Sequence, residues 1–80
     1  MATLIVSLNH LKRISKEPVD VYITLNGGGR SSKTITYKEK ENEFNIHNDI
    51  DDSFQTVPED KLEEETNIVE AIEKNALYLY

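Results

Sequence analysis

Strict alternation of apolar and polar side chains over residues 19–25 constrains this chain more than any other feature. The apolar phase starts at Val19 and ends at Leu25, and a period of two is typical of a β-strand with one buried face. Three consecutive glycines, residues 27–29, follow the segment, and glycine supplies the positive φ angles that a turn or a wide hairpin loop needs. Residues 34–38 alternate again. The pattern therefore predicts an antiparallel hairpin.

The predicted sheet continues with shorter segments. Residues 44–47 form a third strand with Phe44 and Ile46 facing inward, and residues 54–57 form a short fourth one. Short connections between consecutive strands favour an antiparallel meander. The uncharged tail, residues 76–80, fits either a final strand or a helix end packed on the sheet. As an edge strand it would lack the lysine or proline that normally blocks edge pairing, so two chains could pair there as a homodimer.

A helix is predicted before the first strand, over residues 3–16. Its apolar stripe recurs at spacings of three and four, through Leu4, Ile5, Leu8, Leu11 and Ile14. Thr3 can cap its start, and Pro18 ends it. The alternative is a strand over residues 4–8, because Ile5 and Val6 are β-branched. The helix is the preferred interpretation.

Two short acidic helices are predicted near the C-terminus. Thr56 and Glu59 have the spacing of a capping box, and Asn67 and Glu70 repeat it. Asn75 suits the left-handed conformation that ends a helix. The expected fold class is α+β, with an N-terminal helix, an antiparallel sheet of three to four strands, and one or two short acidic helices near the C-terminus.

Length and composition favour a small soluble protein. The 80 residues suffice for a single domain, residues 1–80. Cysteine is absent, which rules out disulfides and fits a reducing compartment. No apolar run approaches the roughly 20 residues of a membrane span, and residues 4–6 lack the flanks of a signal peptide. A cytoplasmic location is therefore expected.

Charge is divided unevenly along the chain. Residues 1–40 carry seven lysines and arginines against three acids, a net of +4, whereas residues 41–80 carry twelve acids against two lysines, a net of −10. The whole chain has a net charge of −6. This acidic net charge disfavours direct nucleic-acid binding, because contacts with phosphates require basic groups. The division indicates a partner surface rather than a catalytic centre.

The late acids are the candidate partner-binding surface. They are Asp49, Asp51, Asp52, Glu59, Asp60, Glu63, Glu64 and Glu65. Carboxylates along a helix can replace backbone phosphates, because both accept hydrogen bonds from arginine. Such a surface would steer the protein toward a host protein with a basic groove. The alternative is a solvated face that keeps a small protein soluble.

The glycine-rich segment is a second candidate, a site for an anionic nucleotide or phosphate. Its members are Gly27, Gly28, Gly29, Arg30, Ser31, Ser32 and Lys33. Glycine amides can form an anion-binding nest, to which hydroxyls and two cations would add. The segment is not a P-loop, because Lys33 leads into a strand instead of a helix. The alternative is a polar hairpin turn.

No catalytic, cofactor or metal site is predicted, and the chain is expected not to be an enzyme. His10 and His47 have no partner residue at a catalytic or ligand spacing. Residues 49–60 partly match a calcium loop, but Phe54 replaces the glycine that the sharp bend requires.

Three tyrosines are candidates for a second packed or binding face. Tyr22 projects from the first strand opposite its apolar face, and Tyr78 and Tyr80 end the chain. Tyrosine is favoured at binding surfaces, because it joins an apolar ring to a polar tip. Packing of the three rings over that second face against a helix is the preferred interpretation.

The order of the segments follows a recognisable pattern. It comprises a leading helix, a proline-containing turn, a strand and a closing segment: Leu8-x-x-Leu11-Lys12, Pro18-Val19-Asp20-Val21-Tyr22-Ile23, Thr66-Asn67-Ile68 and Ala71-Ile72-Glu73-Lys74-Asn75-Ala76-Leu77. This pattern resembles small acidic proteins encoded by bacteriophages and mobile elements, which include anti-CRISPR inhibitors of host defence. The resemblance implies a non-catalytic protein that blocks a nucleic-acid-binding effector in a bacterial host. It carries no functional residue across, because no motif matches position by position.

Overall fold

In a computed structural model that describes residues 2–65 and 67–80, six antiparallel strands form one sheet and three short helices pack on it. The strands are β1 (Thr3–Leu4), β2 (Val19–Thr24), β3 (Arg30–Lys38), β4 (Glu43–Asn48), β5 (Ser53–Pro58) and β6 (Leu77–Leu79). The helices are α1 (Leu8–Ile14), α2 (Leu62–Glu65), which follows a 3₁₀ turn at Glu59–Lys61, and α3 (Ile68–Glu73). The predicted α+β fold class is confirmed. With at most seven residues, the described helices fall well short of the roughly 20 needed to cross a bilayer.

The predicted sheet of three to four strands was too small, because both ends of the chain join it. The strand order is β1-β6-β2-β3-β4-β5, so β2 to β5 form the predicted meander. Strand β6 inserts between β1 and β2, where Tyr78 pairs with Leu4 on one side and with Tyr22 on the other. The tail is therefore an interior strand, and it does not form the free sheet edge that the sequence analysis considered as a dimer contact.

The helix predicted over residues 3–16 is wrong in its first turns. Thr3 and Leu4 pair with β6, and the Ile5 N–H donates to the Leu77 carbonyl at 2.9 Å. Ile5 is completely buried directly after this pairing. The alternative strand over residues 4–8 is confirmed only at Leu4, because β1 ends there and Leu8 begins α1. Helix α1 starts after Ser7, whose hydroxyl accepts the His10 N–H at 3.1 Å.

One face of the sheet and the three helices enclose the hydrophobic core. The alternation of β2 is confirmed, since Val21 and Ile23 lie in this core, although Leu25 lies beyond the strand and is half exposed. The other core members come from each neighbouring element: Ile5, Leu11, Ile35, Tyr37, Phe44, Ile46, Val57, Leu62, Ile68, Ala71 and Leu77. Burying a side chain of this size contributes about 1.5–3 kcal/mol. The core therefore holds the helices to a single face.

The glycine turn between β2 and β3 is tighter than predicted. Gly27 and Gly28 both have φ near 93°, a conformation that favours glycine over other residues. The Leu25 N–H donates to the Gly29 carbonyl at 2.9 Å, which closes the turn. Strand β3 consequently begins at Arg30, so four residues of the predicted loop belong to the sheet.

Neither predicted capping box forms. Thr56 lies inside β5, where its hydroxyl donates to the Asn45 side chain at 3.0 Å, and Pro58 occupies the position before the 3₁₀ turn. Asn67 precedes α3 but makes no side-chain capping bond. The left-handed residue at the end of α3 is Asn75, with φ 56°, as predicted.

Glu59 ties α1 to the sheet. Its carboxylate accepts hydrogen bonds from Lys12 Nζ at 2.6 Å and from Tyr37 Oη at 2.9 Å. The Tyr37 N–H also donates to the Ser15 carbonyl at the end of α1, at 2.6 Å. The hydrogen bonds from Lys12 and Tyr37 lower the pKa of Glu59 below its ordinary value of 4.5. Glu59 therefore has a structural role that its place in the acidic set did not reveal.

Replacing Glu59 with glutamine should lower the melting temperature at pH 7 by roughly 3–6 °C, as expected for one charge-assisted hydrogen-bond network in a small domain. Because the folded-state pKa is depressed, this stabilisation is complete above the unfolded-state pKa and is lost as the pH falls through the folded-state value. The difference between Glu59→Gln and the parent should therefore shrink between pH 7 and pH 3, as thermal melts would measure.

The matched control is Glu70→Gln, which removes an exposed carboxylate paired with Lys74 one helical turn away. Such surface pairs contribute little, so its melting temperature should change by roughly 1 °C or less. An equal loss at pH 7 and pH 3 for Glu59→Gln would contradict the electrostatic explanation.

Candidate functional site

The face of the sheet opposite the helices, here called the open face, carries polar and aromatic side chains. The strand registers place these residues on it: Asp20, Tyr22, Arg30, Ser32, Thr34, Thr36, Asn45, His47, Phe54, Thr56 and Tyr78. None of them belongs to the core that the helices cover. The open face is therefore the broadest surface on which rigid strands position side chains for a partner.

A tyrosine cluster covers the part of the open face formed by β2 and β6. The rings of Tyr22 and Tyr78 stack with centroids 5.3 Å apart, and Tyr80 tilts against Tyr22 at 4.6 Å. The Arg30 guanidinium lies 4.6 Å from the Tyr22 ring centroid, and Ser32 and Tyr80 share a hydrogen bond of 2.7 Å. Tyr22 is thereby 5% exposed without a helix above it. Tyr78, Tyr80 and Arg30 cover Tyr22, so the predicted packing of this face against a helix is not what buries it.

The part of the open face formed by β4 and β5 is more exposed. His47 stacks on Phe54 with ring centroids 4.5 Å apart and an interplanar angle of 17°. Phe54 nevertheless remains 80% exposed, because its outer ring face has no covering residue in the described chain. Threonine and asparagine side chains beside this pair line a shallow groove of about 370 Å³. This groove can accept a side chain of a partner.

Acidic residues surround this aromatic pair at the turn between β4 and β5. His47 lies 3.3 Å from Asp49 and 3.1 Å from Asp52, each measured from ring nitrogen to carboxylate oxygen. Asp51 accepts the Ser53 N–H at 3.0 Å, and the hydrogen bonds from Ser53 lower the pKa of Asp51. The four residues 49–52 are here called the acidic turn.

The eight predicted acids do not form one cluster. Asp49, Asp51 and Asp52 belong to the acidic turn, whereas Glu59, Asp60, Glu63 and Glu64 follow the far end of β5. Six residues of strand separate the two groups, a distance of roughly 17–20 Å. The side chain of Glu65 lies outside the described part of the structure. Two acidic groups therefore flank one strand.

Both groups combine exposed carboxylates with nearby basic side chains. In the far group Glu59 is bound to Lys12, and Lys61 lies among the exposed Asp60, Glu63 and Glu64. In the acidic turn, Asp51 and Asp52 are exposed, although His47 contacts Asp49 and Asp52 and the charge of Lys33 acts on Asp49 and Asp51. Each group therefore keeps exposed carboxylates that a partner can contact.

The residues of the glycine-rich segment are not brought together. Arg30 projects onto the open face over Tyr22, whereas Lys33 pairs opposite Val21 on the face that the helices cover. Burial lowers the pKa of Lys33. Three residues along a strand reverse the direction of a side chain, so the two cationic groups diverge. Ser32 is hydrogen-bonded to Tyr80, and Ser31 lies opposite Ile23 on the helix-covered face.

The exposed Phe54 is the candidate site residue that sequence reasoning missed. The sequence predicts a strand over residues 54–57, in which Phe54 and Val57 are three positions apart. Residues three apart in a strand face opposite sides, so a buried Val57 requires an outward Phe54. The outward orientation of Phe54 could therefore have been predicted from the sequence by assigning Val57 to the core.

Comparisons of the chain with protein-family models, with curated proteins and with solved structures gave no match. Among the side chains that the structure describes, no three histidine or acidic residues converge as ligands for a metal ion. The geometry offers instead an exposed aromatic ring, a shallow groove and an acidic turn, all on one hairpin. This combination suits the binding of a polypeptide.

Replacing Phe54 with serine should change the free energy of unfolding by no more than about 0.5 kcal/mol, because the ring is mostly in solvent. Replacing the fully buried Phe44 with alanine should instead cost about 3–5 kcal/mol. Urea denaturation of the two variants measures both values. A loss at Phe54 comparable to that at Phe44 would assign the exposed ring to the core rather than to binding.

Proposed function

We propose that this chain is a non-catalytic interaction protein that binds a basic surface of a partner through the acidic turn and the adjoining Phe54. The partner class is a nucleic-acid-binding host protein in the bacterial cytoplasm. Occupation of its basic groove would block it, as phage-type inhibitors of host defence do.

The observation that supports this proposal most is the composition of the hairpin tip. Two large apolar side chains, Ile50 and Phe54, are 76% and 80% exposed, and carboxylates surround them. Exposed apolar groups of this size add nothing to a core, but they provide contact area to a partner. An apolar anchor with a charged rim is the usual arrangement of a protein interface.

The exposure of the acidic turn also suits a basic partner. Asp51 and Asp52 are exposed, so their carboxylates are hydrated in the free protein and accessible to a partner. At about 0.1 M salt the Debye length is about 10 Å, so these charges attract a cationic groove mainly at close approach. They would therefore raise the association rate and orient the hairpin, while Ile50 and Phe54 supply the buried area.

Removing two charges from the acidic turn should weaken partner binding about five- to tenfold at low salt, with a smaller loss at high salt. The variant is Asp51→Asn with Asp52→Asn, because asparagine keeps the oxygen that accepts the Ser53 N–H and tolerates the positive φ of Asp52. The partner is first captured from lysate of a bacterial host and identified, and its affinity is then titrated against salt. Displacement of nucleic acid from that partner is measured in parallel.

The matched control removes two exposed charges elsewhere, with Glu17→Gln and Glu73→Gln, and should bind like the parent. If both double variants lose affinity equally, net charge rather than the acidic turn drives binding. If the Asp51 and Asp52 variant binds unchanged at every salt concentration, the acidic turn has no part in the interface.

A further inference from the structure

Strand β5 is an edge strand of the sheet, and acidic residues lie at both of its ends. Within the described residues it pairs with β4 on one side and with no strand on the other. Its six residues carry no charge, whereas acidic groups stand at both of its ends. An exposed edge presents unpaired backbone groups that can add another strand.

The hydrogen-bond phase shows which backbone groups face outward. The Glu59 N–H donates to the Asn42 carbonyl at 2.8 Å, immediately after β5. Bonded positions alternate along an antiparallel ladder, so the odd-numbered residues of β5 bond to β4. The N–H and C=O groups of Phe54 and Thr56 therefore point away from the sheet.

The neighbouring ladder gives the same phase independently. The Asp49 N–H donates to the Ser32 carbonyl at 3.1 Å, so the odd-numbered residues of β4 bond to β3. The even-numbered residues of β4 are then left for β5, in agreement with the bond between Asn42 and Glu59. Pro58, which has no N–H, occupies an outward position and limits the free edge to two residues.

We infer that an extended segment of a partner, uncharged over about six residues and carrying lysine or arginine on both sides, adds to the sheet along β5. The inference rests on the proposed function, because it states the form in which a basic partner binds. Phe54 and Thr56 offer it two amide donors and two carbonyl acceptors. Alternate side chains of the added strand would lie against the exposed ring of Phe54 and the groove beside His47.

Charge decides between this occupant and a second copy of the chain. In an antiparallel pair of β5 strands, the acidic turn of one copy would face Asp60 and the helix acids of the other. In a parallel pair, the two acidic turns would face each other. Like charges opposed across a sheet destabilise the pairing, so both arrangements are disfavoured. An incoming strand with basic residues on both sides would instead place a basic group opposite an acidic group at each end of β5.

The test uses a synthetic peptide with five alternating threonine and valine residues between two lysines on each side. Binding to the whole protein is followed by NMR, together with the hydrogen exchange of the Phe54 and Thr56 amides. Those two amides should exchange at least tenfold more slowly with the peptide bound. A peptide with glutamates in place of the lysines should bind at least tenfold more weakly at low salt.

Backbone and side-chain contributions are separated by two matched pairs. The same peptide with alternate backbone amides N-methylated should lose at least tenfold in affinity, since it cannot complete the ladder. Thr56→Pro removes one outward N–H and should weaken the parent peptide about fivefold, whereas Thr56→Ala keeps the N–H and should have little effect. The methylated peptide leaves the protein unchanged, so the test does not depend on how Thr56→Pro folds.

Several results would overturn the inference. They are absence of peptide binding, equal binding of the methylated peptide, equal binding of the glutamate peptide, and a dimer of the free protein that Thr56→Pro dissociates. If the Asp51 and Asp52 variant loses its captured partner while the two amides stay unprotected by the peptide, strand addition fails and the proposed function stands. If the amides are protected while that variant binds its captured partner normally, the proposed function fails.

Discussion

One-sided burial is the constraint on which the rest of this structure depends. The three short helices cover one face of a six-stranded sheet, and every core residue of the strands points to that face. Fixing the backbone of each residue costs about 1–2 kcal/mol, so a chain of this length depends on concentrating its apolar area in one layer. The second face has to be stable without a cover, and its composition follows from that requirement.

The open face is stabilised in different ways at β2 and β6 and at β4 and β5. At β2 and β6, the rings of Tyr78 and Tyr80 cover Tyr22, and the Tyr80 hydroxyl shares a hydrogen bond with Ser32. At β4 and β5, small polar side chains bond across strands, as Thr56 does with Asn45. Among the described rings of this face, Phe54 is the most exposed, at 80%. A residue that gives the fold so little is explained better by contact with another molecule.

The parts of the fold that sequence predicted are those set by local pattern. Alternation located β2, β3 and β4, and Asn75 marked the end of α3, because φ preference and side-chain period act between near neighbours. The position of β6 was not predictable, since its pairing with Tyr22 joins residues more than fifty positions apart. Ile5 was misassigned for the same reason: its helical spacing was real, but the pairing of Thr3 and Leu4 with β6 and the bond from the Ile5 N–H to the Leu77 carbonyl place it against the sheet. The acidic set was found by composition, yet its division into two groups depends on where β5 ends.

The position of the two acidic groups at the ends of β5 also affects what can pair with its free edge. A free edge strand without charge is a hazard in a small protein, since any exposed β-segment, including its own copy, can pair with it. Lysine on the strand would block such pairing, but it would also repel a basic partner. Carboxylates at the two ends oppose pairing with a second copy, which brings the same acids, and they attract a segment with basic flanks. In the proposed complex, the same few charges would oppose self-association along the edge and select the segment that binds, which agrees with the absence of charge on β5 itself.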